Sequence, residues 1–150
     1  MVGKVNLDNL TKGARPALHA VEPNWAILQG LTARAMAALA DARRNSNALP
    51  TRFATASSAA FWLARVALEA TGYRLAGSEG HRTVVFQCLE HSLNWPSHRW
   101  RRLDDLHRFR NRFDYGDIVD VSEDQVETII ADAQALLDDV LRVFPKARPR

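Results

Sequence analysis

At 150 residues, with 47% hydrophobic and 25% charged side chains, the chain is long enough for one domain with a buried core, and its composition argues against disorder along most of its length. The formal net charge of +3 is too modest to establish a nucleic-acid partner, although arginine outnumbers lysine and its planar fork suits bidentate phosphate contacts. The lone Cys88 excludes an intramolecular disulfide framework and fits a reducing compartment. No stretch approaches the ~20 apolar residues of a membrane helix, and Met1 to Leu7 holds no signal-like apolar run, so a cytoplasmic protein with no membrane partner is expected.

Residues 1–21 read as an irregular N-terminal arm around Gly13 and Pro16, with a turn of helix near Leu7 to Lys12. Glu22-Pro23-Asn24 supplies helix-start chemistry. Trp25, Leu28, Leu31, Ala35, Ala38, Leu39 and Ala42 then keep a helical period to about Arg44, where Asn45-Ser46-Asn47 breaks it. A second helix is predicted from about Thr51 to Ala70, stopping at Gly72, a good left-handed C-terminal residue. Its many small side chains, among them Ala56, Ala59, Ala60 and Ala64, let neighbours approach closely and place it centrally. After Gly77-Ser78-Glu79-Gly80, a third helix capped by Ser78 carries Val84, Val85, Cys88, Leu89 and Leu93 inward. Asn94-Trp95-Pro96-Ser97 ends it and starts a fourth, which runs to about Phe113 or Tyr115 before Gly116. Ser122 and Gln125 form a capping box for a fifth, with Val126, Ile129, Ile130, Ala133, Leu136, Leu137 and Val140 at helical spacing. Pro145 ends the pattern and leaves a basic tail at 145–150. The expectation is an all-α, up-and-down bundle of about five helices in a single domain over 1–150.

The fourth helix holds the candidate site. Six arginines lie between Arg99 and Arg112, with only Asp104 and Asp105 close in sequence to oppose them. Leu103, Leu106 and Phe113 share one face, and Arg110 falls on it. A cation on an apolar seam needs a carboxylate, a dimer cleft or a bound anion. Arg101, Arg108, Arg112 and Tyr115 form a second line that presents three cations and a phenol to a phosphate backbone. The plainer alternatives are a structural ion pair for Arg110, and for the line a solvated face balanced by Glu127, Asp132 or Asp138 of the fifth helix.

From Asn9-Leu10 to about Val143 the sequence resembles the HEPN domains, small helical bundles of prokaryotic toxin–antitoxin and defence systems that also occur beside minimal nucleotidyltransferases. The resemblance is carried by Asp41-Ala42-Arg43, Arg52-Phe53-Ala54, Gly72-Tyr73-Arg74, Gly80-His81-Arg82 and Arg110-Asn111-Arg112-Phe113-Asp114-Tyr115, in that order and spacing. It implies a HEPN-like bundle acting on or binding RNA or a nucleotide as a homodimer. Active members cut RNA without metal, through its own 2′-hydroxyl, using an arginine, a polar residue and a histidine after four to six intervening positions. Arg110 and Asn111 match the opening of that motif. Tyr115 stands where the shortest spacing places histidine, and Gly116 and Asp117 follow at the longer ones. Arg110, Asn111 and Tyr115 are therefore the candidate catalytic residues, with Arg101, Arg108, Arg112, His107 and His81 as phosphate contacts. A phenol with a pKa near 10 is a poor base at neutral pH. His107, one turn before Arg110, is a substitute proton carrier.

No cofactor or metal is expected. Cys88 and His91 share a face without a second pair of ligands, and no His-Glu-x-x-His, phosphate-loop or dinucleotide pattern occurs. Trp25, Trp62, Trp95 and Trp100 read as core or interface anchors. The competing functional readings are a non-catalytic helical interaction module and a partner of a nucleotidyltransferase or cognate antitoxin.

Overall fold

A computed structural model of the chain describes residues 7–13, 16–76, 82–114 and 120–150, the side chains at 82, 113 and 114 aside. In chain order these residues form β1 (Leu18–Ala20), α1 (Trp25–Ala42), α2 (Leu49–Ala70), β2 (Tyr73–Leu75), α3 (Arg82–Gln87), α4 (Leu89–Ser92), α5 (Ser97–Asp114) and α6 (Glu123–Val143), followed by a 3-10 turn at Pro145–Ala147. The predominantly helical character predicted from the periodicity is present. None of the helices among the described residues is long and apolar enough to cross a membrane.

Most helix ends follow local chemistry. The Asn24 side chain accepts a hydrogen bond from the Ile27 amide at 3.2 Å and starts α1. Pro50 is tolerated in the first turn of α2, so that helix starts at Leu49 rather than near Thr51. Gly72, at φ +97°, takes the left-handed turn that ends it. The Ser122–Gln125 capping box is formed at the start of α6. Ala56, Ala59, Ala60, Ala64 and Ala67 are all fully buried, and α2 packs against α1, α5, α6 and β2. It is the hub that its small side chains predict.

Two expectations need correction. The first is the irregular arm: Leu18–Ala20 pairs antiparallel with Tyr73–Leu75, Leu18 opposite Leu75, and both Leu7 and Leu18 are buried. Strands of three residues are too short to show an alternating pattern. The second is the third helix, which is divided into α3 and α4 at Cys88. Thr83-Val84-Val85 are helical within α3, and Phe86 joins Val85, Cys88 and Leu89 in the core. Burial pushes the Cys88 thiol up to about 12, so it packs as a small apolar group. Ser78, the expected cap, lies outside the described residues.

The tail is partly docked. Ala147 is buried, and the Lys146 carbonyl accepts from the Gln29 side chain at 2.9 Å. Arg52 is buried as well, its Nε donating to the Ala42 carbonyl at 2.7 Å, where it satisfies the C-terminal end of α1.

Candidate phosphate-binding surface on α5

Two tryptophans seat the start of α5. The Trp95 indole donates to Asp139 of α6 at 2.8 Å, and the Trp100 indole donates to Glu90 of α4 at 2.6 Å. From there the helix buries Trp100, Leu103, Asp104 and His107. Leu106 and Arg110, expected on the inner face, are only half-buried. The inner face is thus turned toward Asp104 and His107, two polar residues that a hydrophobic pattern does not mark.

Each has a partner that makes its burial tolerable. His107 is 3% exposed; its Nδ1 lies 2.9 Å from the Ser57 hydroxyl, and its ring stacks on Phe61 at 5.4 Å between centroids. Asp104 is 5% exposed and lies 3.1 Å from the Arg108 Nε. It also accepts a hydrogen bond from the Thr83 hydroxyl at 3.2 Å. Burial raises the Asp104 pKa above the usual carboxylate range, and the Arg108 charge and the Thr83 hydrogen bond oppose that rise.

The arginines divide along the helix. In the N-terminal half, Arg102 makes a two-point contact with Asp132 of α6, at 2.8 and 2.5 Å, which raises its pKa further. Arg99 stacks 3.9 Å above the Trp95 ring and lies 3.9 Å from Asp139. Asp132 is one of the acids expected to balance the helix; of the other two, Glu127 lies 3.9 Å from Arg52 and Asp138 accepts from Gln134. Arg101 is exposed and lies over Trp100.

In the C-terminal half, Arg108 is exposed and its Nη2 donates to Thr83 of α3 at 2.8 Å. Arg110 is half-buried with its Nη2 3.5 Å from the Ser58 hydroxyl of α2. Asn111 beside it is half-buried, and Arg112 is exposed with its guanidinium 5.9 Å from the Phe109 ring. Phe109 in turn meets Phe53 edge to face at 5.4 Å. His81 and Tyr115 lie outside the described residues; of the others, Arg108 is set against α3, Arg110 against α2, Asn111 is half-buried, Arg112 is exposed, and His107 is turned inward. Sequence reasoning missed Thr83, Ser57 and Ser58. Asp104 alone carried a signal, being four residues before Arg108 on the same helix.

Elsewhere, an open concavity of about 550 Å³ is lined by residues such as Asp8, Glu22, Thr71 and Tyr73, none of them from α5. Burial, with a hydrogen bond to Asp8 and the charge of that carboxylate, pushes the Tyr73 phenol up to about 12. Among the described residues no group of three His, Cys, Asp or Glu side chains converges as metal ligands. The sequence matches no protein-family model and no curated protein.

Proposed function

We propose that this chain is a HEPN-like helical module that binds RNA or a nucleotide through its phosphates at the C-terminal half of α5, working as a homodimer. The observation that carries the reading is the crowding of Arg108, Arg110 and Arg112 into the last turns of one helix, with Arg110 half-buried against a serine hydroxyl. A guanidinium carries five N–H donors, so the serine contact is compatible with a further contact to an anion. The order of motifs around Arg110-Asn111 adds the HEPN resemblance, and with it a toxin–antitoxin or defence setting and an antitoxin or nucleotidyltransferase partner.

Binding rather than cleavage is the activity proposed. Metal-free cleavage needs a group that moves a proton to or from the reacting ribose. His107 is turned into the core against Ser57 and Phe61. Titration of the purified chain with short RNAs and nucleotides at two salt concentrations tests the reading, with Arg110→Ala as control. Binding should weaken steeply as salt rises and be reduced in the variant. Salt-insensitive or absent binding counts against it, and RNA cut by the wild type but not by Arg110→Ala would restore the ribonuclease.

A further inference from the structure

We infer that buried Asp104 and Thr83 act as positioning residues for Arg108, fixing its guanidinium so that its outer edge takes one phosphate of the bound RNA or nucleotide. The inference rests on the proposed function and adds to it a residue-level account of one contact.

The three side chains close a ring across α3 and α5. Arg108 gives its Nε–H to one Asp104 oxygen at 3.1 Å and an Nη2–H to the Thr83 hydroxyl at 2.8 Å. Thr83 accepts that bond and donates a hydrogen bond from its own hydroxyl to the other Asp104 oxygen at 3.2 Å. Every donor in the ring has one direction, so the guanidinium plane is held from behind. A guanidinium carries five N–H donors, and the ring uses two of Arg108's, leaving three. The anchor is deep and the tip is not: the Asp104 side chain is 7% exposed and that of Arg108 63%. A free surface arginine loses rotamer freedom when it grips a phosphate. Here that freedom is already gone before the ligand arrives, which favours binding. Asp104 also has a cheaper explanation, as a counter-charge that simply neutralises Arg108. The two accounts predict opposite signs when the carboxylate is made neutral.

The test is fluorescence anisotropy of a labelled oligouridylate with the full chain at several salt concentrations. Arg108→Ala should flatten the dependence of log K on log salt by about 0.7, the loss of one single-strand phosphate contact. Asp104→Asn and Thr83→Val should each weaken binding roughly threefold to tenfold, while Thr83→Ser keeps wild-type affinity. In an Arg108→Ala background neither change should cost anything further. Tighter binding by Asp104→Asn overturns the inference in favour of simple neutralisation. An equal loss from Thr83→Val with and without Arg108 overturns it in favour of a general structural role. If Asp104→Asn does not fold, Thr83→Val, which keeps the Asp104–Arg108 ion pair, decides alone. A wild-type chain that shows no salt-dependent binding sinks the proposed function itself, and with it this inference. Wild-type binding with variants behaving as in the two overturning outcomes sinks only the positioning role.

Discussion

Arginines from the two halves of α5 meet different kinds of neighbour. Arg99 and Arg102 reach across to the carboxylates of Asp139 and Asp132 on α6, and Arg102 is held at two points. Arg108 and Arg110 meet hydroxyls, Thr83 on α3 and Ser58 on α2, with Asp104 behind Arg108. The contacts of the first half reach α6, and those of the second half reach α2 and α3. A run of arginines at similar spacing is therefore not one feature. Its first half fastens α5 to α6, and its second half lies against α2 and α3 with Arg108 and Arg112 exposed. What the residues face across the helix pair, rather than how many there are, separates the two jobs.

The sharpest test of that division is stability. Leu103 in the first half is fully buried, so Leu103→Ala should cost about 3 kcal/mol in denaturant unfolding. Phe109 in the second half is half-buried against Phe53, and Phe109→Ala should cost about half as much. Equal losses would mean that both halves are structural alike. Next in size, Asp132→Ala leaves Arg102 without its two-point contact. It should lower stability by about 1–2 kcal/mol and leave RNA affinity unchanged at matched salt. A fall in affinity would show that the first half also contributes to binding. Arg112→Ala is expected to do the reverse, leaving the melting temperature in place while reducing the salt dependence of RNA binding by about one phosphate contact.

The smallest effect concerns pH. Burial raises the Asp104 pKa in the folded chain above its unfolded value, so between those two values the folded state holds more protons. Its contribution to stability is complete below the unfolded value and is lost as pH rises through the folded one. Thermal unfolding from pH 4 upward should show this decline in the wild type and a flatter curve in Asp104→Asn. Identical curves would mean that Asp104 titrates alike in both states.

The elements were largely readable because their signals are local. The Asn24 cap, the Ser122–Gln125 box, the Gly72 stop and the alanines of α2 each act within a turn or two of the residues they organise. The ribbon was not, because three-residue strands whose partners lie on opposite sides of α1 and α2 leave no periodic trace. At the site, the run of arginines could be read from the sequence, whereas Arg110, expected on the inner face, is only half-buried. The orientation of the helix could not be read. The spacing of Leu103, Leu106 and Phe113 assigns Leu106 inward and does not mark Asp104 or His107, yet the two polar residues are the buried ones. They are admitted by Thr83, Arg108 and Ser57, and no spacing within α5 reveals which hydroxyl another helix will present.

The small ribbon has a consequence for how the chain reaches its fold. Pairing Leu18 with Leu75 closes a loop that contains all of α1 and α2. Closing such a loop in an unfolded chain is entropically costly, whereas a finished α1–α2 hairpin already brings its ends together. The strand pairing should therefore come late in folding and open early in unfolding. The Val21 and Ala76 amides, which donate to the Gly72 and Ala17 carbonyls at the ribbon's two ends, would report it by exchanging hydrogen faster than the amides in the middle of α2.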